Sequence, residues 1–389
     1  MDPTRQATDA VWAGEEELLL TGATVVPISL GVAHGYADVE SWQAVALGEA
    51  RGHIYARNTN PTVEAFEQKI RALERADDAT SFSTGMAAIS NTLFALLEPG
   101  DRVVSAKDTY GGTNQIFLNT LPRWGVDVAL CDTADADGVE RAIGNRCALL
   151  YLETPTNPTL KVMPIARLAA AARRAGAVVV VDNTVATPVN QSPLELGADL
   201  VLHSATKYLG GHADAMGGAL CGRRDLVRTV FHHREINGAS LDPMSAYLLL
   251  RGMKTLSLRI ERQNANAMTI ARWLERHPRI SQVNYPGLEA HPQHEIAAKQ
   301  MRGFGGMLSF AVEGSLDAVK RVLPKFKRMH RAANLGAVET VGGPPATTSH
   351  VECSPEERAA MGIPEGLIRY SVGIEAVDDL IADLAQALA

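Results

Sequence analysis

From about Ala65 onward the chain alternates between two textures. FEQKIRALERA, TGMAAISNTLFALL, NQIFLNTLPRWG and IARLAAAARRAG place apolar residues at helical spacing and predict amphipathic helices. Between and after them lie short apolar runs bounded by turn residues: ATSFS, DRVVSA, DVALCD, RCALLYLE, AVVVVDN, DLVLHS and GGALCG. Runs of this kind, apolar on both faces and alternating with helices, predict an α/β fold with a mostly parallel sheet covered on each side. Near Asn237 the texture changes. LDPMSAYLLLRGMKTLSLRIERQNANAMTIARWLERH reads as a long helical connection, GMLSFAV and LIRYSVGI as strands, and SLDAVKRVLPKFKRM and DDLIADLAQAL as helices. The expected organisation is a weakly patterned arm over 1–60, an α/β domain over 61–250 and a smaller α+β domain over 251–389.

Composition changes this picture only by exclusion. A formal charge of −7 leaves no broad basic surface for nucleic acid or an anionic membrane. Cys131, Cys147, Cys221 and Cys353 are scattered without a CxxC pair, and His232 and His233 are adjacent rather than spaced along one helix face, so no metal centre is expected. MDPTRQATDA lacks the apolar core of a signal sequence, and no run is long enough to span a bilayer. A reduced, cytoplasmic protein is the expectation.

Open α/β sheets bind ligands beyond the carboxyl ends of their strands, so candidate chemistry is sought after each apolar run. Thr84, Gly85 and Met86 open a helix after SFS, where free N–H groups and a glycine suit an anion. Ser204, Thr206 and Lys207 follow DLVLH, Asp182 ends AVVVVD, Asn157 follows LLYLETPT, and Tyr110 follows DRVVSAK. Taken singly, each has a plain structural reading as a cap, a turn former or a core ring. As a set they fall at one edge of the predicted sheet. A pyridine cofactor with a phosphate arm accounts for them together. Gly85, Met86, Ser204 and Thr206 suit the phosphate, and Tyr110 offers an aromatic face. Asp182 would keep the ring nitrogen protonated, Asn157 would meet the ring oxygen, and Lys207 would supply the amine for an aldehyde. Bonding to that aldehyde also removes the cost of a buried ammonium.

SATKYLGGHADAMGG resembles the cofactor-lysine signature of the Cys/Met-metabolism PLP-dependent enzymes, the cystathionine γ-synthase-like branch of fold type I. YARNTNPTVEAFEQKIRALE, STGMAAI, DTYGGT, ETPTNP, VVVDNTVATP and LIRYSVGIE extend the resemblance along nearly the whole chain after about residue 20. The resemblance implies pyridoxal 5'-phosphate as cofactor, a seven-stranded sheet, and the residue roles just given, with Tyr110 also active in proton transfer. It further implies that Arg369 binds the substrate carboxylate and that Tyr55 and Arg57 reach the phosphate of a neighbouring subunit, in a dimer or a tetramer of dimers.

The reaction is left more open. Gly112 stands where bacterial methionine γ-lyases resemble one another in carrying cysteine. Ala333 and Asn334 stand in AANLGA, where cystathionine-handling members resemble AESLGG. Small residues at 112 and 333 favour an uncharged γ-substituent, hence γ-elimination giving 2-oxobutyrate, ammonia and a thiol. Asn334 resembles the sulfhydrylases and keeps γ-replacement as the alternative. The GGPPATTSH stretch is expected to border the entrance. A dinucleotide-dependent dehydrogenase is disfavoured, because the first βα turn reads SFSTGMAA rather than GxGxxG.

Overall fold

The computed structural model describes residues 3–16, 18, 22–351 and 354–389, so Cys353 lies outside the described residues. All seven runs expected as strands of the first sheet are present. They are β1 (Asp78–Phe82), β2 (Arg102–Ala106), β3 (Asp127–Cys131), β4 (Cys147–Glu153), β5 (Val178–Asp182), β6 (Leu200–Ser204) and β7 (Gly218–Gly222). Their order across the sheet is β1-β7-β6-β5-β4-β2-β3. Pairs from β3 through β6 are parallel, whereas β7 is antiparallel to both of its neighbours. Every strand except β7 therefore points the same way, and the residues after β1, β2, β4, β5 and β6 meet at one edge. That edge places the site.

Capping fixes where the covering helices begin. Asn60 accepts from Thr62 N at 2.9 Å, with Pro61 in the first turn, and starts helix Pro61–Glu74. Thr84 accepts from Ala87 N at 3.0 Å and starts helix Gly85–Leu96. NQIFLNTLPRWG is helical but not uniformly so. A short α turn, Gly111–Gln115, passes into a π turn, Ile116–Thr120, and a 3-10 turn, Leu121–Trp124. Pro122 has no N–H to continue the α ladder. Periodicity also misses helix Arg224–Asn237, which buries only Val227, Val230 and Arg234, too thin a stripe to stand out.

A second sheet holds β8 (Ile280–Asn284), β9 (Met307–Val312), β10 (His330–Arg331), β11 (Val341–Gly343) and β12 (Leu367–Ser371), in the order β10-β11-β12-β9-β8. The long helical connection is two helices, Pro243–Met253 and Leu256–Glu275, broken at Lys254 and Thr255. Leu256 and Ile260 of the second one pack with Tyr208 and Leu249 beneath the first sheet. Ala267, Ile270 and Leu274 pack with Phe310 and Tyr370 beneath the second. One rod thus enters both cores. In SLDAVKRVLPKFKRM the α helix stops at Val322, just before Pro324.

The stretch expected as an arm begins with helix Pro3–Trp12. Fully buried Lys69 donates to Ala10 O and Val11 O, each at 3.0 Å, and pairs with Glu15 at 2.9 Å. The early helix is therefore fastened to its own chain. Residues further on leave apolar side chains exposed: Leu30, Val32, Val39, Trp42, Leu47 and Tyr55. Among the described residues no helix is long and apolar enough to cross a membrane.

Candidate active site

At the carboxyl edge of the first sheet lies a cavity of about 300 Å³. Thr84, Gly85, Met86, Asn157, Asp182, Ser204, Thr206, Lys207, Tyr110, Ala333 and Arg369 all line it. The set drawn from strand ends is thus brought together by the fold. Asn334 reaches the same place by another route, its Oδ1 accepting from Lys207 Nζ at 2.8 Å. Gly112 lines an adjoining outer recess of about 610 Å³, which shares Tyr110, Thr348 and Ser349 with the inner cavity. The GGPPATTSH stretch borders the opening through those last two residues.

The candidate anion cradle is a matter of space as well as donors. A Cβ at Gly85 would stand 2.7 Å from Ser204 Cβ, so only glycine lets the helix start approach the end of β6. The first intrahelical bond runs from Ala88 N to Thr84 O, which leaves the Gly85 and Met86 N–H groups ahead of the ladder and available to an anion. Thr206 is fixed by mutual bonds with Gly217, its Oγ1 accepting from Gly217 N at 3.0 Å. Thr184 fixes the other hydroxyl's strand end, accepting from Ser204 N at 2.8 Å.

Across the cradle, Asp182 accepts from Thr184 N at 2.9 Å and from the Tyr151 hydroxyl at 3.3 Å. Burial raises its carboxyl above the ordinary value, and those hydrogen bonds oppose the rise. Lys207 has its amine pulled down to about 8, by burial first and by the Arg369 cation second. Arg369 is 4% exposed, which decides that its cation must be answered by a ligand or by fixed acceptors. Nη1 donates to Asn157 Oδ1 at 3.3 Å and Nη2 to Asn334 O at 2.9 Å. Nε is buried without a hydrogen-bond partner among the described residues.

Tyr55 and Arg57 are not in this cavity. Both are exposed, with the Arg57 guanidinium 5.2 Å from the Tyr55 ring centroid. Their backbone is held on this chain, since Ser240 Oγ donates to Arg57 O at 2.6 Å. Sequence reasoning passed over Glu153, which lines the cavity, is 5% exposed and accepts from Tyr110 N at 2.7 Å. It ends an apolar run just as Asp182 does, so the same search would have found it.

An anion cradle, a buried carboxylate opposite it and a depressed-pKa lysine between them define a site for a phosphorylated aldehyde, and these residues fit pyridoxal phosphate. The family model for Cys/Met metabolism PLP-dependent enzymes matches residues 7–389, and the chain belongs to that family. It is 45% identical over 346 residues to an L-methionine gamma-lyase of Fusobacterium nucleatum subsp. polymorphum, covering 88% of this chain and 87% of that protein. An O-succinylhomoserine sulfhydrylase of Pseudomonas aeruginosa is 42% identical over 342 residues, covering 88% and 85%. The crystal structure of cystathionine gamma synthase from Xanthomonas oryzae pv. oryzae, in complex with aminoacrylate and cysteine, superposes with a TM-score of 0.93 at 37% identity, covering 98% of this chain and 97% of that one. The family comprises pyridoxal-phosphate-dependent lyases and γ-replacement enzymes, and the cofactor is pyridoxal 5'-phosphate.

Proposed function

We propose that the chain is a carbon–sulfur lyase that removes the γ-substituent of a methionine-like amino acid. With one water consumed, the products are 2-oxobutyrate, ammonia and a thiol. The observation that carries this reading is the charge inventory of the cavity. Among the described residues, its acidic and basic lining side chains are Lys207, Arg369, Asp182 and Glu153. Lys207 serves the cofactor aldehyde, Arg369 the substrate carboxylate and Asp182 the ring nitrogen, while Glu153 is taken up by Tyr110 N–H. None remains for a charge at the far end of the substrate, and Ala333 offers only a methyl group.

Bound pyridoxal phosphate supplies the electron sink that stabilises negative charge at the substrate α-carbon. The protein does the rest. Gly85 and Met86 N–H with Ser204 and Thr206 hydroxyls hold the phosphate. The Arg369 fork would orient the carboxylate, so that Lys207 Nζ takes the proton from Cα and, having released it, takes one from Cβ. The Tyr110 hydroxyl gives a proton to the departing sulfur.

Replacement at the γ-carbon is the second reading, favoured by the Asn334–Lys207 bond at a position where the sequence resembles the sulfhydrylases. An assay of the purified enzyme decides between them. Release of 2-oxobutyrate from L-methionine or homocysteine is expected. Its absence, together with joining of an activated homoserine to a thiol, would reverse the order.

The enzyme works as at least a dimer in this reading, with Tyr55 and Arg57 completing a neighbour's phosphate site. The exposed apolar side chains of residues 30–55 support such a contact. Mixing Lys207→Ala subunits with Arg57→Ala subunits should restore part of the activity each lacks alone. Nothing regained would place Arg57 outside any shared site. Free thiols at Cys131, Cys147 and Cys221 accord with a reducing, cytoplasmic setting.

A further inference from the structure

Glu153 and Asp182 are direct register partners at the ends of parallel strands β4 and β5. Both line the cavity and both are buried. Two carboxylates so placed resist simultaneous ionisation. Among the described residues no cation pairs with Glu153. It bonds instead to backbone, accepting from Tyr110 N at 2.7 Å, and the Asn157 backbone N–H weakly favours its charged form. These two residues begin the segments after β2 and β4 that frame the cofactor ring. Tyr110 itself has no side-chain cap at the start of helix Gly111–Gln115.

We propose that Glu153 is a positioning residue working as a neutral carboxylic acid: it ties the Tyr110 segment to the cavity wall and leaves Asp182 as the one ionised carboxylate among the lining residues. This rests on the roles given above to Asp182 and Tyr110. Burial first and the Asp182 charge second hold the Glu153 carboxyl well above its ordinary range, with Asp108 adding to the rise. Other groups around it do not change the balance. Tyr151, on the same strand, gives its hydroxyl to Asp182 at 3.3 Å. Lys161 spends its charge on Asp108 at 2.8 Å. Lys207 and Arg369 face the cavity, where cofactor and substrate carboxylate answer them. A proton on Glu153 thus protects the charge that a protonated ring nitrogen needs, while its carbonyl oxygen keeps the Tyr110 N–H.

Two variants separate the roles, using apoenzyme titrated with pyridoxal phosphate and steady-state kinetics of the holoenzyme. Glu153→Gln keeps an uncharged acceptor. Its cofactor Kd and kcat/KM should stay within about threefold of the parent across about pH 6 to 9. A loss of about tenfold or more in cofactor affinity, or a displaced limb of the pH profile, would show that the ionised form is the one in use. Glu153→Ala removes the acceptor, and kcat should fall about tenfold or more with KM and cofactor Kd changed far less. Unchanged kcat in that variant, at a parental melting temperature, overturns the positioning role. Asp182→Asn serves as the control: parental cofactor affinity there would sink the assignment of Asp182 and not that of Glu153.

Discussion

The cavity has two walls of different origin. One is built by the first sheet, from residues within a few positions of a strand end: Gly85, Asn157, Asp182, Ser204 and Lys207. The other is contributed by the second part of the chain, through Ala333, Asn334, Thr348, Ser349 and, from strand β12, Arg369. The first wall sits on backbone that the parallel ladder fixes, with N–H groups and glycine contacts that permit one geometry. Ala333, Asn334, Thr348 and Ser349 of the second wall lie on loops and turns, where a side chain changes without disturbing a sheet. In the proposed reading, cofactor chemistry belongs to the rigid wall and substrate choice to the variable one. Arg369 is the exception that supports the rule, because every amino-acid substrate has the carboxylate that Arg369 is proposed to bind.

Breaking the rigid wall should have the largest effect. Lys207→Ala removes the only amine that lines the cavity among the described residues. The visible absorbance of the cofactor-bound protein should disappear and kcat/KM should fall by about four orders of magnitude or more. A variant that keeps both would relieve Lys207 of its role and divorce the chemistry from this wall.

The two walls also differ in how far the sequence disclosed them. Strands of the first sheet were legible because most are short apolar runs bounded by turn residues, and the residue after each parallel run is the one delivered to the edge. Asp182, Asn157, Ser204 and Lys207 could be gathered by that rule alone. Glu153 obeyed the same rule and was overlooked, since an acid after an apolar run reads as a solvated strand end. Strands β10 and β11 span only two and three residues, too short for any alternation to show. Helix Arg224–Asn237 was hidden for another reason: its buried Arg234 occupies a place that periodicity assigns to an apolar side chain. On the second wall, motif resemblance located Ala333 and Asn334, but no pattern indicates that Asn334 Oδ1 meets the lysine. That contact depends on a loop from one sheet lying over a turn from the other.

A smaller effect probes the electrostatic link between the walls. Burial first and the Arg369 cation second bring the Lys207 amine down to about 8. In the role proposed for Lys207 the neutral amine is the nucleophile, so protonation below that value would silence it. Capture of pyridoxal phosphate by apoenzyme should therefore quicken by about tenfold per pH unit on the acid side and level off above about pH 8. In Arg369→Gln the second cause of the shift is gone, and the plateau should begin at higher pH. Comparing the two proteins cancels the cofactor's own titration, which is common to both. Coincident profiles would mean that the walls are electrostatically independent.

The smallest change expected is on the variable wall itself. Ala333 is an exposed residue that lines the cavity, and its methyl group neither accepts nor repels a distal ammonium. Ala333→Glu places a carboxylate there. A substrate with a second ammonium group, such as cystathionine, would gain a partner, while methionine would gain nothing and meet a more polar surface. One solvent-accessible charge pair of this kind is worth about fivefold at most in relative kcat/KM, because water screens it and the new side chain loses rotamer freedom. Cofactor affinity should not move, since the substitution touches none of the strand-end groups. The ratio of kcat/KM for cystathionine to that for methionine measures the first expectation, and titration of apoenzyme measures the second. If cofactor affinity fell instead and the ratio stayed level, residue 333 would belong functionally to the rigid wall. The separation of cofactor chemistry from substrate choice would then fail at the position where it should be cleanest.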